Sequence, residues 1–226
     1  MSRMKRVVLV LAIVAMAASM LMPFAATAAV AFTADLPVLM NCAGQSGGIF
    51  TVEALMNRGK VPFDWSDIPD AKDVAAGVGL PTMKSKEEGG TGDAYVRLNS
   101  TAPKGTAYKT VIFVIGYSLK GMGASGLTMA DELKRINGII DYCVKNKVKM
   151  IGMHIEGQPM RGKPGSEFEQ IIDAVAPKMN CLIVEENSNQ DGKFTDIAKK
   201  ANIPLITLPK ATNDKINVLK EIFGVK

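Results

Sequence analysis

"TVIFVIG", residues 110–116, decides the fold of this chain. Thr110, Val111, Ile112, Val114 and Ile115 are β-branched, nothing in the run is charged, and a glycine closes it. A strand that is apolar on both faces must be covered on both, which marks a central strand of a parallel sheet. A helix should follow it. Thr128 is its N-cap, with Asp131 three residues on, and Asp131 and Glu132 fall in the first turn, where the helix dipole favours acids. Leu133, Ile136, Ile140, Cys143 and Val144 recur at helical spacing and make one apolar face.

The same alternation extends outward in both directions. Upstream, residues 37–40 read as a strand, 49–57 as a helix and 61–65 as a second strand. Downstream, strands are expected at 148–153, 181–184 and 203–208, and helices at 168–175, 194–201 and 214–223. Apolar strands alternating with amphipathic helices imply an α/β fold, a Rossmann-like or flavodoxin-like three-layer domain with a five- to six-stranded, mostly parallel sheet. Right-handed crossovers favour the order 2-1-3-4-5 with a sixth strand appended. Residues 66–108 break the pattern with Pro, Gly and charge, including "KSKEEGGTG" at 84–92. They are expected to be an irregular insertion, with a short hairpin around Tyr95, Val96, Arg97 and Leu98.

Before this domain, Arg3, Lys5 and Arg6 precede an apolar run and a set of small residues that offer A-x-A cleavage sites. That layout predicts a signal peptide over 1–31, cut after Ala28 or Ala31, and a periplasmic or extracellular protein. Without the leader, 24 basic and 22 acidic residues leave a net charge of about +2. No basic cluster with interleaved aromatics points to nucleic acid, and no later stretch is apolar enough to span a bilayer. Cys42, Cys143 and Cys181 each lie in or beside apolar segments, so buried free thiols are expected, with one bridging pair left open.

In an open parallel sheet, ligands bind at the carboxyl ends of the strands, where the strand order reverses. The loops leaving the first and third strands are "AGQSGG" (43–48) and "GYSLKGMGASG" (116–126). Gly44, Gln45, Ser46, Gly47, Ser118, Lys120, Gly121, Gly123 and Ser125 are therefore the candidate ligand contacts, together with His154 at the end of "KMIGMHI". Free N–H groups, hydroxyls and one lysine suit a carboxylate or a phosphate.

Three motif matches fail on inspection. Gly121 to Gly126 spells G-x-G-x-x-G, but it starts beyond the strand end, and the acid nearest the next strand end, Glu156, is too distant for a dinucleotide fingerprint. Met122 stands where a P-loop needs lysine. Asn187 to Gly192 opens like a calcium loop, yet Ala198 takes the place of the bidentate glutamate, so a helix-capping turn is expected. No cofactor and no metal are expected.

Gly44-Gln45-Ser46-Gly47-Gly48 also matches G-x-S-x-G, which raises a serine hydrolase with Ser46 as nucleophile and His154 as base. The acid would come from Glu156, Glu185 or Asp191. Such an elbow normally follows several strands, and here it follows the first. A binding module for a small anionic or polar metabolite is preferred. The third alternative is an interaction domain for a membrane protein.

"AGQS", "GYSLKGMGASG", "VKMIGMHIEG" and "DGKFTDIAKKANIPL", in that order, resemble a family of exported bacterial α/β proteins of unknown function. The resemblance runs from about Pro37 to Phe223, apart from 66–108. It implies a signal peptide and one α/β domain, and it brings no activity and no functional residues.

Overall fold

The computed structural model describes residues 32–83 and 95–226. The expected leader and the charged 84–92 stretch lie outside the described residues. The elements are β1 (Val38–Ala43), α1 (Gly48–Arg58), β2 (Asp64–Ser66), α2 (Ala71–Ala76), β3 (Val96–Leu98), β4 (Thr110–Ile115) and α3 (Leu119–Ser125). Then come α4 (Met129–Asn146), β5 (Lys149–His154), α5 (Glu167–Val175), β6 (Cys181–Glu185), α6 (Lys193–Ala201), β7 (Leu205–Leu208) and α7 (Thr212–Phe223).

One seven-stranded sheet runs in the order β3-β2-β1-β4-β5-β6-β7, parallel throughout except for β3 against β2. The six parallel strands follow the expected order, with the switch point between β1 and β4. The seventh is an addition. Residues 95–98 do not form a hairpin of their own; β3 pairs back onto β2, with Trp65 opposite Arg97.

Every residue of β1 and β4 is buried, as strands covered on both faces require. On one face Val38, Met40, Ile112, Val114, Ile151 and Ile183 pack under α1 and α7. On the other, Leu39, Val111, Phe113, Met150 and Leu182 pack under α2, α4, α5 and α6. Period-two alternation makes both sets from the same strands. α4 has the expected capping box, with Thr128 Oγ1 accepting the Asp131 N–H at 3.1 Å. Its buried face is rotated from the expected one: Glu132 and Ile139 are inside, while Val144 is 65% exposed.

The 66–108 insertion is more ordered at its ends than its composition suggests. A second capping box, Asp70 with Asp73, starts α2. The buried Asp64 carboxylate accepts the Gly79 N–H (2.8 Å), the Ser100 N–H (3.0 Å) and the Tyr108 hydroxyl (2.7 Å). One acid thus ties three separated points of the insertion to the end of the sheet. Burial and this bond push the Tyr108 phenol far above its ordinary value.

Cys42, Cys143 and Cys181 are free and buried. Burial alone pushes the Cys143 and Cys181 thiols up to about 12, so neither is a thiolate at neutral pH. Among the described residues no helix is long and apolar enough to cross a membrane.

Candidate functional site

β1 ends in two consecutive left-handed residues, Gly44 at φ +95° and Gln45 at φ +60°. At Gly44 only glycine fits, because a Cβ there would sit 2.3 Å from the Gly116 carbonyl oxygen. The non-glycine Gln45 is held in that region by its own amide. Its Nε2 donates to the Asp67 carbonyl at 3.0 Å and to Glu132 Oε1 at 3.4 Å. Glu132, fully buried in the first turn of α4, also accepts the Gly44 N–H at 2.8 Å.

A bidentate ion pair compensates the Glu132 charge. Arg135 Nε and Nη2 donate to its two oxygens at 2.8 Å each, and the same guanidinium reaches the carbonyls of Cys42 (2.7 Å) and Pro69 (2.8 Å). Such fork geometry fixes direction as well as distance. The ends of β1, β2 and α4 are therefore locked together beneath the 44–48 loop.

Ser46 is also locked, and its role differs from the expected one. Its hydroxyl donates to Glu156 Oε2 and accepts the Gly48 N–H at 3.0 Å, and the residue is 1% exposed. Glu156 crosses from the segment after β5 and lies against Gly47, Gly48 and Gly116; at Gly116 a Cβ would come within 2.8 Å of its Oε2. Ser46 therefore ties β1 to β5 and opens α1, with its one hydroxyl proton already committed.

The expected loop 116–126 contains the short helix α3. Ser118 caps it by accepting the Gly121 N–H at 3.0 Å, and Gly126 ends it in the left-handed conformation. Gly121 and Gly123 are helical residues rather than a phosphate cradle. Gly121 is small because the Gln45 carbonyl oxygen would lie 2.4 Å from its Cβ, whereas a Cβ on Gly123 would meet nothing within 4 Å.

Between the 44–48 loop, α3 and the end of β2 lies a cleft of about 310 Å³. Of the expected contacts, Gln45, Ser46, Gly47, Ser118, Lys120, Gly121 and Ser125 line it; Gly44, Gly123 and His154 do not. Phe50, Trp65, Asp67 and Tyr95 line it as well, and all four escaped the sequence reading. Phe50 meets the rings of Trp65 and Tyr95 edge-on, at 5.8 and 5.9 Å, and Trp65 stacks on Tyr95 at 6.3 Å. Phe50 and Tyr95 are each 49% exposed, so this wall is open to a ligand. Asp67 is half-buried, and desolvation raises its carboxyl to about 6 against the pull of the Tyr95 N–H.

His154 is elsewhere. It is in step with Met150 and Gly152 along β5, so its ring points to the α4–α6 face and packs at 5.2 Å on Phe194. It is 0% exposed, neither ring nitrogen has a hydrogen-bond partner, and burial, then the nearby Arg161, lower it to about 4. No bond joins it to Ser46. Arg161 pairs with Glu169 (2.9 Å) and Asp191 (2.9 Å) and donates to the Ser188 carbonyl (2.7 Å). The 187–192 turn works as a cap, with Asn189 Oδ1 accepting the Phe194 N–H at 2.9 Å.

Residues 35–223 match the family described as Domain of unknown function (DUF6305). The chain belongs to that family. No curated protein and no solved structure matches it. Membership covers every element from β1 to α7, so the braced loop and the cleft both lie inside the family's domain.

Proposed function

We propose that this DUF6305 protein is an exported small-ligand-binding domain whose ligand lies in the cleft between the 44–48 loop and α3. The observation that carries the reading is an aromatic-walled cleft of about 310 Å³ standing over a floor fixed by the Glu132–Arg135 pair, at the switch point of the sheet. An apolar wall with a few fixed polar groups is what small-molecule sites are made of. Lys120 at the exposed rim and the N-terminal end of α1 support an anionic or polar group on the ligand. Export rests on the basic, apolar and small-residue layout of residues 1–31.

The hydrolase alternative lacks its parts. A nucleophile must be reachable and must face its base, whereas Ser46 is buried on Glu156 and His154 faces the opposite side of the sheet. A thermal-shift screen against carboxylates, phosphates, sugars and amino compounds tests the binding reading. A ligand at 100 times its dissociation constant adds about 2.7 kcal/mol of stability. Phe50→Ala and Lys120→Ala should each weaken that shift with the fold intact. Shifts indifferent to both substitutions would place the site elsewhere.

A further inference from the structure

Among the described residues the cleft is lined by one charged side chain of each sign, Asp67 and Lys120. Asp67 has no ion-pair partner among the described residues, and neither does Lys120. The other acids nearby do not line the cleft: Glu132 is paired with Arg135 beneath it, and Glu156 accepts the Ser46 hydroxyl. Arg135 acts on Asp67 from a distance without pairing with it, so a cation brought into the cleft would meet a half-buried carboxylate with no direct ion-pair partner among the described residues.

The sheet places these charges on opposite flanks. Asp67 follows β2 and Lys120 lies in α3 after β4, with β1 and its locked loop between them. Two strand spacings separate the flanks, roughly 9.5 Å at about 4.8 Å each. The aromatic wall of Phe50, Trp65 and Tyr95 stands on the Asp67 side, where ring faces favour a cation. On the Lys120 side, Ser118 Oγ accepts from the backbone and keeps its own proton to donate.

Resting on the binding reading above, we propose that the ligand is a small zwitterion: an amine held by Asp67, a carboxylate held by Lys120 and Ser118, and an apolar or aromatic body against Phe50 and Tyr95. Amino acids and short peptides are the chemical class. An anion alone would leave Asp67 unpaired, and a simple amine would leave Lys120 facing a cation. A zwitterion satisfies both.

The test is calorimetric titration of three matched probes: L-phenylalanine, phenethylamine and 3-phenylpropanoate. The zwitterion should bind at least about tenfold more tightly than either single-charge analogue, the scale of one charged hydrogen bond. Asp67→Asn should reduce L-phenylalanine to the affinity of 3-phenylpropanoate, and Lys120→Met should reduce it to that of phenethylamine, with unchanged melting temperatures confirming the fold. A single-charge analogue that binds as tightly as the zwitterion overturns the inference. So does an advantage that survives both substitutions, or the failure of all three probes to bind. If all three fail while the wider screen still yields a shift that Phe50→Ala abolishes, the binding reading stands and only the zwitterion falls.

Discussion

The carboxyl edge of the sheet carries two clusters of charged residues, and they are built on opposite principles. Above β5 and β6, Arg161 is 2% exposed and fully paired, with Glu169 and Asp191 on its guanidinium and Lys193 bonded to Glu169 and Asp173. Above β1 and β2, the Glu132–Arg135 pair is equally closed, but Asp67 and Lys120 have no ion-pair partner among the described residues and line an open cleft. Paired buried charge joins elements. Charge without an ion-pair partner beside the half-exposed rings of Phe50 and Tyr95 is what the proposed ligand site rests on.

That contrast can be broken most severely in the closed cluster. Arg161→Leu removes one of the two cations on the buried Glu169 and leaves Lys193 as the other, so the cost should lie toward the lower end of the range of about 3–5 kcal/mol for a broken buried pair. Chemical denaturation should show that loss, while a cleft ligand keeps its affinity for whatever fraction remains folded. A ligand affinity that falls with it would mean the two clusters are coupled.

His154 sharpens the comparison through pH. Its folded value, about 4, lies below the ordinary 6.5, so between those limits the unfolded chain binds more protons than the folded one. Stability is therefore full above pH 6.5 and falls as the pH drops toward 4, by about 3 kcal/mol from this group. Asp67 acts in the opposite sense across much of the same window, because its folded value is raised from 3.8 to about 6 and the folded chain holds the extra proton. The comparison should therefore be made as a difference. Stability measured from pH 7 to 4 in the wild type and in His154→Phe should diverge by that amount, with the variant losing less. Parallel curves would show that His154 is not held neutral.

Beneath the cleft, Gly44→Ala forces a Cβ toward the Gly116 carbonyl at a backbone conformation L residues rarely adopt. The expected cost is about 1–3 kcal/mol, read from the melting temperature, together with weaker ligand binding because Gln45 shifts. The smallest stability effect belongs to the wall. Phe50→Ala truncates a half-exposed ring and should cost no more than about 1 kcal/mol, yet it should weaken the ligand more than any loss of stability explains. An unchanged ligand affinity would remove the aromatic wall from the site.

Much of the fold was legible because it depends on local chemistry. Residues 110–116 could be read as a central strand from six neighbours alone, and Thr128 with Asp131 announced the start of α4. The second strand was misplaced by up to three residues at its start, since 61–65 is as apolar as a strand and only pairing with β1 places β2 at Asp64–Ser66. The site was half legible. Its two loops follow from strand order, which sequence constrains. Trp65 is read only as the end of the second strand, and Asp67 and Tyr95 fall in an insertion without periodicity; the three meet only when β3 folds back onto β2. His154 is expected among the ligand contacts because it ends the strand at the carboxyl edge, but period-two alternation with Met150 and Gly152 turns its ring to the α4–α6 face.

The amino-acid sequence by itself determined the alternating elements, their parallel pairing and the position of the switch point, because burial on two faces leaves a strand no other home. Only the tertiary structure decided what the loops do there. Ser46 meets a carboxylate 110 residues away, and Gly44 meets Glu132 88 residues away. Those meetings depend on left-handed turns and crossing loops whose geometry no local pattern carries. They convert the serine of G-x-S-x-G from an exposed nucleophile into a tie between β1 and β5, and they leave Asp67 and Lys120 lining the cleft where a ligand is proposed.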